Sequence, residues 1–556
     1  MSNKSIIASV ISGTIMIFAF PPFDIWVIGW FGMAPLFFAI YDKKPLQAFA
    51  LGFIWGIVFF LGTVYWVVNS MVNYGGVPVW ASVLALLLLV IVLSLYPAVF
   101  AYFTFSREKH AFHPSAFRLI FIPFLWVSLE FVRTYLFTGF PWVLLGYSQT
   151  AFLPIMQIAD ITGVYGVSFL IIMVNVFLFN CGLQIADCGF KIKISKMEWI
   201  IVFSVLILVF GYGHLRIGQI DNLTKNWRQI KIGIAQGNID QAQKWDPAHQ
   251  EGTIDIYRQI SIDIAQNEKD IDLIIWPETA TPFYLQSDEK FGPLIFDIAK
   301  TLAVNLITGS PAHEYTSDGK TINYYNSVFL ISKQGGIVNR YDKVHLVPFG
   351  EYVPFKRFLP FEKLVAGVGD FSSGKNFKPL ALNNDDTFGI LICFEAIFPD
   401  IARQLLKNGA DFLITVTNDA WFGRSSAPYQ HLSQSLVRAV EGRTFLIRSA
   451  NTGISAVIDP VGRIKVKSGL FTREGLVDTI SLKERSFTTF YTRYGDVFAI
   501  GCIFISIVIF ITNARKRGQT CLLTFALFIF SITFFTSAVP FSYFSYWSPF
   551  LVFLLS

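Results

Sequence analysis

The chain is poor in charged residues. Asp, Glu, Lys and Arg make up only 15% of its 556 residues, whereas hydrophobic residues make up 53%. This balance is too apolar for a soluble protein of this length and indicates several membrane spans. The charges are concentrated between about Asn222 and Arg493. The sequence therefore predicts a membrane domain at residues 1–220, a polar domain at 221–490 and a C-terminal membrane segment with an apolar tail at 491–556.

Signatures of nucleic-acid, nucleotide and metal binding are missing as well. The net charge of +6 comes with no cluster of basic and aromatic residues, so no nucleic-acid partner is expected. The segment from Gly369 to Lys375 has the spacing of a P-loop, but Asn376 stands where a Mg²⁺-binding Ser or Thr is needed. The seven His residues are dispersed, which argues against a metal site.

About eight runs are apolar enough to span a bilayer, which takes about 20 residues each. The candidates are Ser5–Phe20, Phe23–Tyr41, Ala48–Val68, Val79–Tyr102, Leu119–Phe137, Ile161–Leu183, Trp199–Leu215 and Val497–Thr512. Basic residues lie in alternate connections, such as Lys43 and Lys44, whereas the connection Asn69–Gly76 has none. Since Lys and Arg mark the cytoplasmic side, seven crossings place the polar domain outside the cytoplasm.

Glu130 and Arg133 are the exceptional charges of the first membrane block. They stand three residues apart on one predicted helix, and intramembrane charges are usually paired and face a bundle interior or a cavity. Both a structural ion pair and a role near a lipid headgroup are compatible with this spacing. The connection from Gly139 to Asp160 is aromatic and almost uncharged, as expected of a loop at the membrane interface.

The polar domain alternates strand-like and helix-like segments, which predicts a layered α/β fold. The predicted strands are Ile230–Ala235, Ile271–Ile275, Val304–Gly309, Ser327–Ser332, Gly389–Ile392, Phe412–Thr417 and Gly453–Asp459. The predicted helices are Gly252–Gln266, Pro293–Ala303, Pro399–Leu406 and His431–Thr444.

Cysteine is scarce, and one Cys is set apart by its position. Four of the five Cys residues lie in or beside apolar segments, which leaves Cys393 alone in the polar domain. It follows the apolar run Gly389–Ile392 and precedes a helix-like run, so we expect it at a strand-to-helix turn. A helix N-terminus nearby favours negative charge on a nucleophile. A lone Cys is more often a small buried hydrophobe, and the neighbouring charged motifs favour the reactive interpretation here.

Two further motifs place charged residues at strand ends. Glu278 ends a buried strand, whereas Lys343 and Glu351 lie on a loop that contains Pro and Gly. With Cys393 they form a set of an acid, an ammonium and a thiol. The Glu278 carboxylate can accept the thiol proton, the ammonium can stabilise a thiolate and an oxyanion, and the second carboxylate can hold the ammonium in place.

In this order the motifs resemble the nitrilase superfamily, whose catalytic set is Glu, Lys and Cys on a four-layered αββα sandwich. With the flanking spans, residues 1–512 resemble the apolipoprotein N-acyltransferase family of the bacterial inner membrane. Further matching motifs are Gln236-Gly237-Asn238 with Lys244-Trp245, Tyr324-Tyr325-Asn326, the run Asn418 to Gly423 and the run Gly139 to Trp142. The chain departs from the family at Phe394, where some members carry Tyr, and in the apolar stretches Cys521–Ser537 and Phe541–Leu555.

The resemblance implies a role for each matching residue. It implies that Glu278, Lys343 and Cys393 are catalytic, supported by Glu351, Phe394 and Glu395, and that Trp245, Asn326, Trp421 and Trp142 contact substrate. The implied reaction moves an acyl chain from a phospholipid to the α-amine of a diacylated apolipoprotein through a Cys thioester, without a cofactor. The implied location is the inner membrane, with several spans in the bilayer and the catalytic domain in the periplasm, and we expect a monomer.

Loop aromatics are expected to cover the site, because excluding water protects a thioester from hydrolysis. The candidates are Trp142, Tyr147, Trp245, Phe355, Phe358, Phe361, Trp421 and Phe422.

Two other functions are compatible with parts of the sequence. A membrane-tethered amidase or nitrilase would share the triad and pass the acyl group to water, and the many spans and aromatic loops count against it. A transporter with an extracytoplasmic sensing domain would carry polar residues along a pathway, and these spans mostly do not.

Overall fold

The computed structural model describes residues 1–104, 115–185, 195–316, 319–353 and 370–517. The chain forms two compact units. Unit 1 contains residues 1–65, 83–217 and the chain from 494 onward, and unit 2 contains residues 66–82 and 218–493. The candidate loop aromatics Phe355, Phe358 and Phe361 and the apolar tail after Arg517 lie outside the described residues.

Helices account for most of unit 1 and for the outer layers of unit 2. In the described part of the chain they are α1 (Asn3–Ile17), α2 (Ala34–Ile40), α3 (Pro45–Val64), α4 (Val67–Asn73), α5 (Val79–Thr104), α6 (Ser115–Tyr135), α7 (Leu153–Met156), α8 (Ala159–Thr162), α9 (Val164–Ile185), α10 (Lys196–Thr224), α11 (Gln250–Asn267), α12 (Gly292–Leu302), α13 (Pro399–Lys407), α14 (Ala427–Gly442), α15 (Phe490–Tyr494) and α16 (Val497–Arg517). Short 3₁₀ helices include Trp26–Trp30, Cys393–Ile397 and Asp419–Phe422.

Several of these helices are apolar enough for a bilayer. Four helices of the described ranges, α3, α5, α9 and α10, are also long enough to cross a membrane. Three apolar segments are shorter, namely α1, Trp26–Ile40 and Val497–Thr512. Helix α6 has 21 residues, but its sequence includes the charged residues Arg118, Glu130 and Arg133. The number of spans therefore stays a prediction.

The predicted span Phe23–Tyr41 consists of two helical pieces. The 3₁₀ helix Trp26–Trp30 comes first, and α2 starts separately with a proline in its first turn. Asn175 of α9 satisfies the backbone at this break, because its amide donates to the Gly29 carbonyl at 2.8 Å and accepts from the Met33 N–H at 2.9 Å. An unpaired backbone group in an apolar interior costs several kcal/mol, so this one polar side chain stabilises the broken segment.

Glu130 and Arg133 hold the connection that follows α6. The Glu130 Oε1 atom accepts from the Leu145 N–H at 2.7 Å, and Arg133 Nη2 donates to the Val143 carbonyl at 3.4 Å. Both side chains are buried. Because these partners are backbone groups of one connection, the contacts favour the structural interpretation of the two charges.

Unit 2 contains two six-stranded sheets. Their strands are β1 (Gln229–Gln236), β2 (Leu273–Ile275), β3 (Asn305–Tyr315), β4 (Ile322–Ser332), β5 (Gly336–Asp342), β6 (Leu380–Ala381), β7 (Thr387–Ile392), β8 (Phe412–Thr417), β9 (Leu446–Ala450), β10 (Ala456–Ile458), β11 (Ile464–Lys467) and β12 (Glu474–Ser481). The strand order is β12-β1-β2-β3-β4-β5 in the first sheet and β11-β10-β9-β8-β7-β6 in the second. Each sheet has a parallel centre, formed by β1, β2 and β3 in the first and by β7, β8 and β9 in the second.

Helices cover the sheets, and the sheets face each other. Helix α11 packs on the first sheet, where the Trp276 indole donates to the Ser261 hydroxyl at 2.9 Å and stacks on Tyr257 at 5.1 Å between ring centroids. Helices α13 and α14 pack on the second sheet. The Ser449 hydroxyl of β9 donates to the Ile275 carbonyl of β2 at 3.2 Å across the interior. The predicted layered α/β fold is therefore confirmed.

The prediction for the last part of this fold is partly wrong. The predicted strand Gly453–Asp459 is shorter in the structure, as β10, and the sequence predicts no element for the strand before it, β9. Arg448 interrupts the apolar pattern of β9, but it is fully buried because it is paired with Asp419. A strand that contains one partner of a buried ion pair cannot be predicted from apolar runs, because the charged residue interrupts the run.

The segment 66–82 belongs to unit 2, although it lies between two segments of unit 1 in the sequence. Asn69 and Ser70 of α4 both donate to the Trp421 carbonyl, at 3.0 and 2.8 Å. The ring centroid of Trp66 lies 4.7 Å from that of Phe422. Part of the predicted connection Asn69–Gly76 thus holds a loop that is more than 300 residues away in sequence.

Gly309 of β3 gives a test of this packing. A Cβ atom there would lie 2.7 Å from the Glu278 Cα and 2.8 Å from the Pro277 carbonyl oxygen, and backbone atoms cannot rotate away. We expect Gly309→Ala to lower the free energy of unfolding by about 1–3 kcal/mol, as overpacking does. Gly252→Ala in α11 is the control, because nothing lies near its Cβ position, and it should stabilise by about 0.5–1 kcal/mol. Thermal unfolding of the full-length protein in detergent measures both, and equal melting temperatures for Gly309→Ala and the wild type would contradict the close approach.

Candidate active site

The predicted catalytic residues follow strand ends of both sheets. Glu278 comes shortly after β2, Lys343 directly after β5 and Cys393 directly after β7. Asn326 lies within β4, where its carbonyl accepts from the Lys343 N–H at 2.9 Å. Because the parallel strands β7 and β8 end at the same edge of their sheet, Asn418 at the end of β8 joins the same region.

Glu278 is buried and held by hydrogen bonds at both carboxylate oxygens. Its Oε1 atom accepts from Asn326 Nδ2 at 2.8 Å, and its Oε2 atom accepts from the Asn418 N–H at 2.9 Å. Burial raises the pKa of Glu278; the Lys343 charge opposes this rise and the Glu351 charge adds to it. The carboxyl group is therefore a stronger proton acceptor than an exposed one.

Lys343 is 1% exposed and paired with a carboxylate. Its Nζ atom lies 2.9 Å from Glu351 Oε1, and Glu351 is fixed in turn by the Val347 N–H at 2.7 Å. Burial alone would lower the pKa of Lys343, but Glu351, Cys393 and Glu278 outweigh burial and raise that pKa above its ordinary value. The ammonium is thus charged and held in one position.

Cys393 is a free thiol on a strained turn. It starts the 3₁₀ helix Cys393–Ile397 with a φ of +51°, a left-handed conformation that is unusual for a residue with a side chain. Burial and the Glu278 charge raise the pKa of the Cys393 thiol, and the Lys343 charge opposes them. The resting group is therefore a thiol, which needs a base before it can attack.

Glu395 joins the turn of Cys393 to the loop of Lys343. This fully buried carboxylate accepts from the Ile392 and Val344 N–H groups, both at 2.8 Å, and from the His345 N–H at 3.1 Å. Burial raises the pKa of Glu395 to about 7, and these N–H donors and the Lys343 charge limit the rise. Its geometry is that of a structural link between the two loops.

Phe394 and the predicted substrate residues occupy different environments. The Phe394 ring packs against Phe398 at 5.2 Å between centroids. Trp245 is 41% exposed, and Trp421 is half-buried with its ring 5.3 Å from that of Tyr74.

The other two predicted substrate residues, Asn326 and Trp142, have contacts within the protein. Asn326 Nδ2 bonds both Glu278 and Glu351, the latter at 2.9 Å. Trp142 is 1% exposed and packs within unit 1, as does Tyr147. The substrate contacts of all four residues stay predictions.

The sequence assigns no role in the site to two residues, Lys244 and His431. The Lys244 ammonium is buried and donates to the Glu278 carbonyl at 3.0 Å, and burial lowers the pKa of Lys244 to about 8. Lys244 belonged to a matching motif, so a signal for it existed. His431, whose Nε2 lies 3.1 Å from the Cys393 carbonyl oxygen, had none.

The arrangement supports acyl transfer chemistry. The Cys393 thiol, the Glu278 carboxylate and the Lys343 ammonium lie close enough to shift one another's pKa values, with Glu278 and Lys343 buried and Cys393 half-buried. Such a set can form and break a thioester, with the ammonium placed to stabilise an oxyanion. No group of three or more potential metal ligands from His, Cys, Asp and Glu occurs among the described residues.

Comparison with known proteins gives matches along most of the chain. Residues 12–177 match the family model for the apolipoprotein N-acyltransferase N-terminal domain, and residues 231–488 match the model for carbon-nitrogen hydrolase. A solved structure of yeast Nit3, a nitrilase-superfamily protein, covers 46% of this chain and 90% of its own, at 17% identity and a TM-score of 0.36.

Curated relatives are similar over nearly their full length. The apolipoprotein N-acyltransferase of Geobacter metallireducens is 42% identical over 521 residues, which is 93% of this chain and 96% of that protein. The apolipoprotein N-acyltransferase of Haemophilus influenzae is 32% identical over 520 residues, 92% of this chain and 95% of that protein. The protein therefore belongs to the apolipoprotein N-acyltransferase family.

Proposed function

We propose that the protein transfers an acyl chain from a membrane phospholipid to the α-amine of the N-terminal S-diacylglyceryl cysteine of a lipoprotein. The observation that carries the proposal is the grouping of the half-buried Cys393 thiol with the buried Glu278 carboxylate and the buried Lys343 ammonium, which Glu351 holds at 2.9 Å. Family membership supplies the lipid and lipoprotein substrates.

The first half of the proposed reaction forms a thioester. Glu278 accepts the thiol proton while Cys393 Sγ bonds to the ester carbonyl carbon of the phospholipid. Lys343 and the Phe394 N–H hold the resulting oxyanion. When the carbon–oxygen bond breaks, protonated Glu278 gives its proton to the departing lysophospholipid.

The second half moves the acyl group to the lipoprotein. The α-amine attacks the thioester carbonyl, and Glu278 accepts the proton that the amine loses. The carbon–sulfur bond then breaks, and the proton returns to the Cys393 thiolate. Glu351 acts throughout by holding the Lys343 ammonium in place through their 2.9 Å contact.

The proposal includes a location. The apolar runs support about eight spans in the bacterial inner membrane. The basic connections support a position of the polar domain in the periplasm. The domain limits 1–220, 221–490 and 491–556 and the monomeric state remain part of this proposal. Trp245, Trp421 and Trp142 remain candidates for lipid contact, because Trp prefers membrane interfaces.

Mass spectrometry of Cys393 tests the function directly. Incubation of the purified protein with labelled phospholipid should add one acyl chain to Cys393, and a diacylated lipopeptide with a free N-terminus should discharge it. Cys393→Ala should fold normally and take up no acyl chain, whereas the control Cys181→Ala in α9 should behave like the wild type. An N-acetylated lipopeptide should leave the thioester intact. Release of free fatty acid at a rate that lipopeptide does not change would support a hydrolase and contradict the proposal.

Lys343→Ala should slow thioester formation by about 10²–10³-fold, as loss of one oxyanion donor does. Lys343→Arg should not restore the rate, because a planar guanidinium differs in shape from an ammonium. The control is Lys333→Ala, which removes an exposed Lys from the turn between β4 and β5. Rapid-quench labelling measures the step, and normal acylation followed by slow discharge would assign Lys343 a different role.

Acylation should be lost on acidification at a pH above the ordinary carboxyl pKa of about 4.3. Glu278 works as a base only when ionised, so activity is present above its pKa and falls as the pH drops through it. Because the Glu351 charge raises the pKa of Glu278, Glu351→Gln should shift this acid limb to lower pH while also reducing the maximal rate. An acid limb that moves upward in Glu351→Gln would contradict the assignment of Glu278 as the base.

A further inference from the structure

A buried charged cluster behind the nucleophile takes no part in the mechanism above. Asp419, His431 and Arg448 have side chains that are at most 1% exposed. Arg448 Nη2 lies 2.6 Å from Asp419 Oδ2 and 3.1 Å from His431 Nδ1, and His431 Nδ1 lies 3.1 Å from Asp419 Oδ1. Buried charges of this kind are costly unless paired, so their retention beside the site calls for a role.

The cluster reaches the nucleophile through one hydrogen bond. His431 Nε2 lies 3.1 Å from the carbonyl oxygen of Cys393, which can only accept. The ring proton must therefore be on Nε2, and His431 is a donor at this position. Arg448 Nη2 can only donate, so a neutral ring with its proton on Nε2 lets Nδ1 accept from Arg448. Burial and the Arg448 charge lower the pKa of His431 and favour this neutral form, whereas Asp419 opposes them.

The hydrogen bond from His431 to the Cys393 carbonyl matters because of the backbone conformation of Cys393. With φ at +51°, Cys393 occupies a conformation that residues with a Cβ atom adopt only when the surroundings hold it. The orientation of its peptide group decides where the thiol and the following Phe394 N–H point. A donor fixed on the Cys393 carbonyl therefore fixes the thiol and the oxyanion site together.

The same cluster also reaches the base. The Thr417 hydroxyl donates to Asp419 Oδ1 at 2.9 Å, and between these two residues the Asn418 N–H donates to Glu278 Oε2 at 2.9 Å. Room for the carboxylate comes from Gly453, where a Cβ atom would lie 2.8 Å from the Asp419 Cβ. One buried cluster thus holds the segment that fixes Glu278 and the carbonyl that fixes Cys393.

We propose that Asp419, His431 and Arg448 form a positioning cluster that sets the Cys393 thiol against the Glu278 carboxylate, with His431 acting as a hydrogen-bond donor to the Cys393 carbonyl. The cluster does not exchange protons with substrate. This inference rests on the proposed function for its rate measurements, but the geometry it describes concerns the free enzyme.

Two substitutions of His431 separate its two contacts. The amide nitrogen of Gln lies about where Nε2 does, so His431→Gln can still donate to the Cys393 carbonyl. The shorter Asn places its amide near the Nδ1 position, so His431→Asn keeps a contact with Arg448 and loses the one to Cys393. Gln434→Leu is the control, because Gln434 is 1% exposed on the same helix, one turn further on.

Two rates are measured on the full-length protein: thioester formation from phospholipid, and alkylation of Cys393 by iodoacetamide. His431→Asn should slow thioester formation at saturating phospholipid by about 10²-fold, the usual cost of misplacing a reacting group by about 1 Å. The half-saturating phospholipid concentration should not change. His431→Gln should stay within about tenfold of the wild type, and Gln434→Leu should match it. Alkylation should follow the same order, because the thiol loses its base in His431→Asn.

The outcomes are distinct. Equal losses in His431→Gln and His431→Asn, in proportion to their melting temperatures, would overturn the proposal and leave a purely structural cluster. Unchanged alkylation and acylation in a folded His431→Asn would overturn it as well. If the wild-type protein formed no thioester, the proposed function would fail, whereas the alkylation rates would still test the positioning of Cys393. Should His431→Asn fail to fold, Asp419→Asn takes its place, with slowed alkylation expected and wild-type alkylation contradicting the proposal.

Discussion

The candidate site depends on keeping ionised groups buried at short range of one another. Lys343 is almost inaccessible to water, yet it stays charged because Glu351 lies 2.9 Å from its ammonium. Glu278 is buried and receives two hydrogen-bond donors, Asn326 and the Asn418 backbone. Each of these charges would be very costly alone in an apolar interior, and removal of one partner leaves the other uncompensated. The two sheets supply the rigid frame that holds opposite charges within reach.

The places of the candidate catalytic residues in the fold could be predicted because these residues follow apolar strands. Glu278 and Cys393 stand at the ends of buried runs, and a charged or nucleophilic residue there is visible in the sequence. The supporting contacts were harder to predict, because they join residues that are far apart in the chain. The bond between the Asn418 N–H and Glu278 spans 140 residues, and a backbone N–H has no sequence signature at all.

Other errors came from polar residues that are buried. Arg448 interrupts the apolar run of β9, for which the sequence predicts no element, whereas its pairing with Asp419 allows it to lie in the core. The interruption of the second predicted span also depends on a buried polar residue. Asn175 pairs with the backbone on both sides of that interruption, at Gly29 and Met33. Neither compensation can be inferred from an average over apolar residues, because both depend on one side chain in a distant element.

The segment 66–82 has a consequence for how the protein is made. The partner of Asn69 is Trp421, which is 352 residues later in the chain. At a synthesis rate of about 5–20 residues per second, the Trp421 carbonyl leaves the ribosome roughly 20–70 s after α4 does. During this time Trp66 and Tyr74 lack their ring contacts with Phe422 and Trp421. Unit 2 is therefore completed only late in translation, and a fragment that begins at residue 218 lacks one of its own helices.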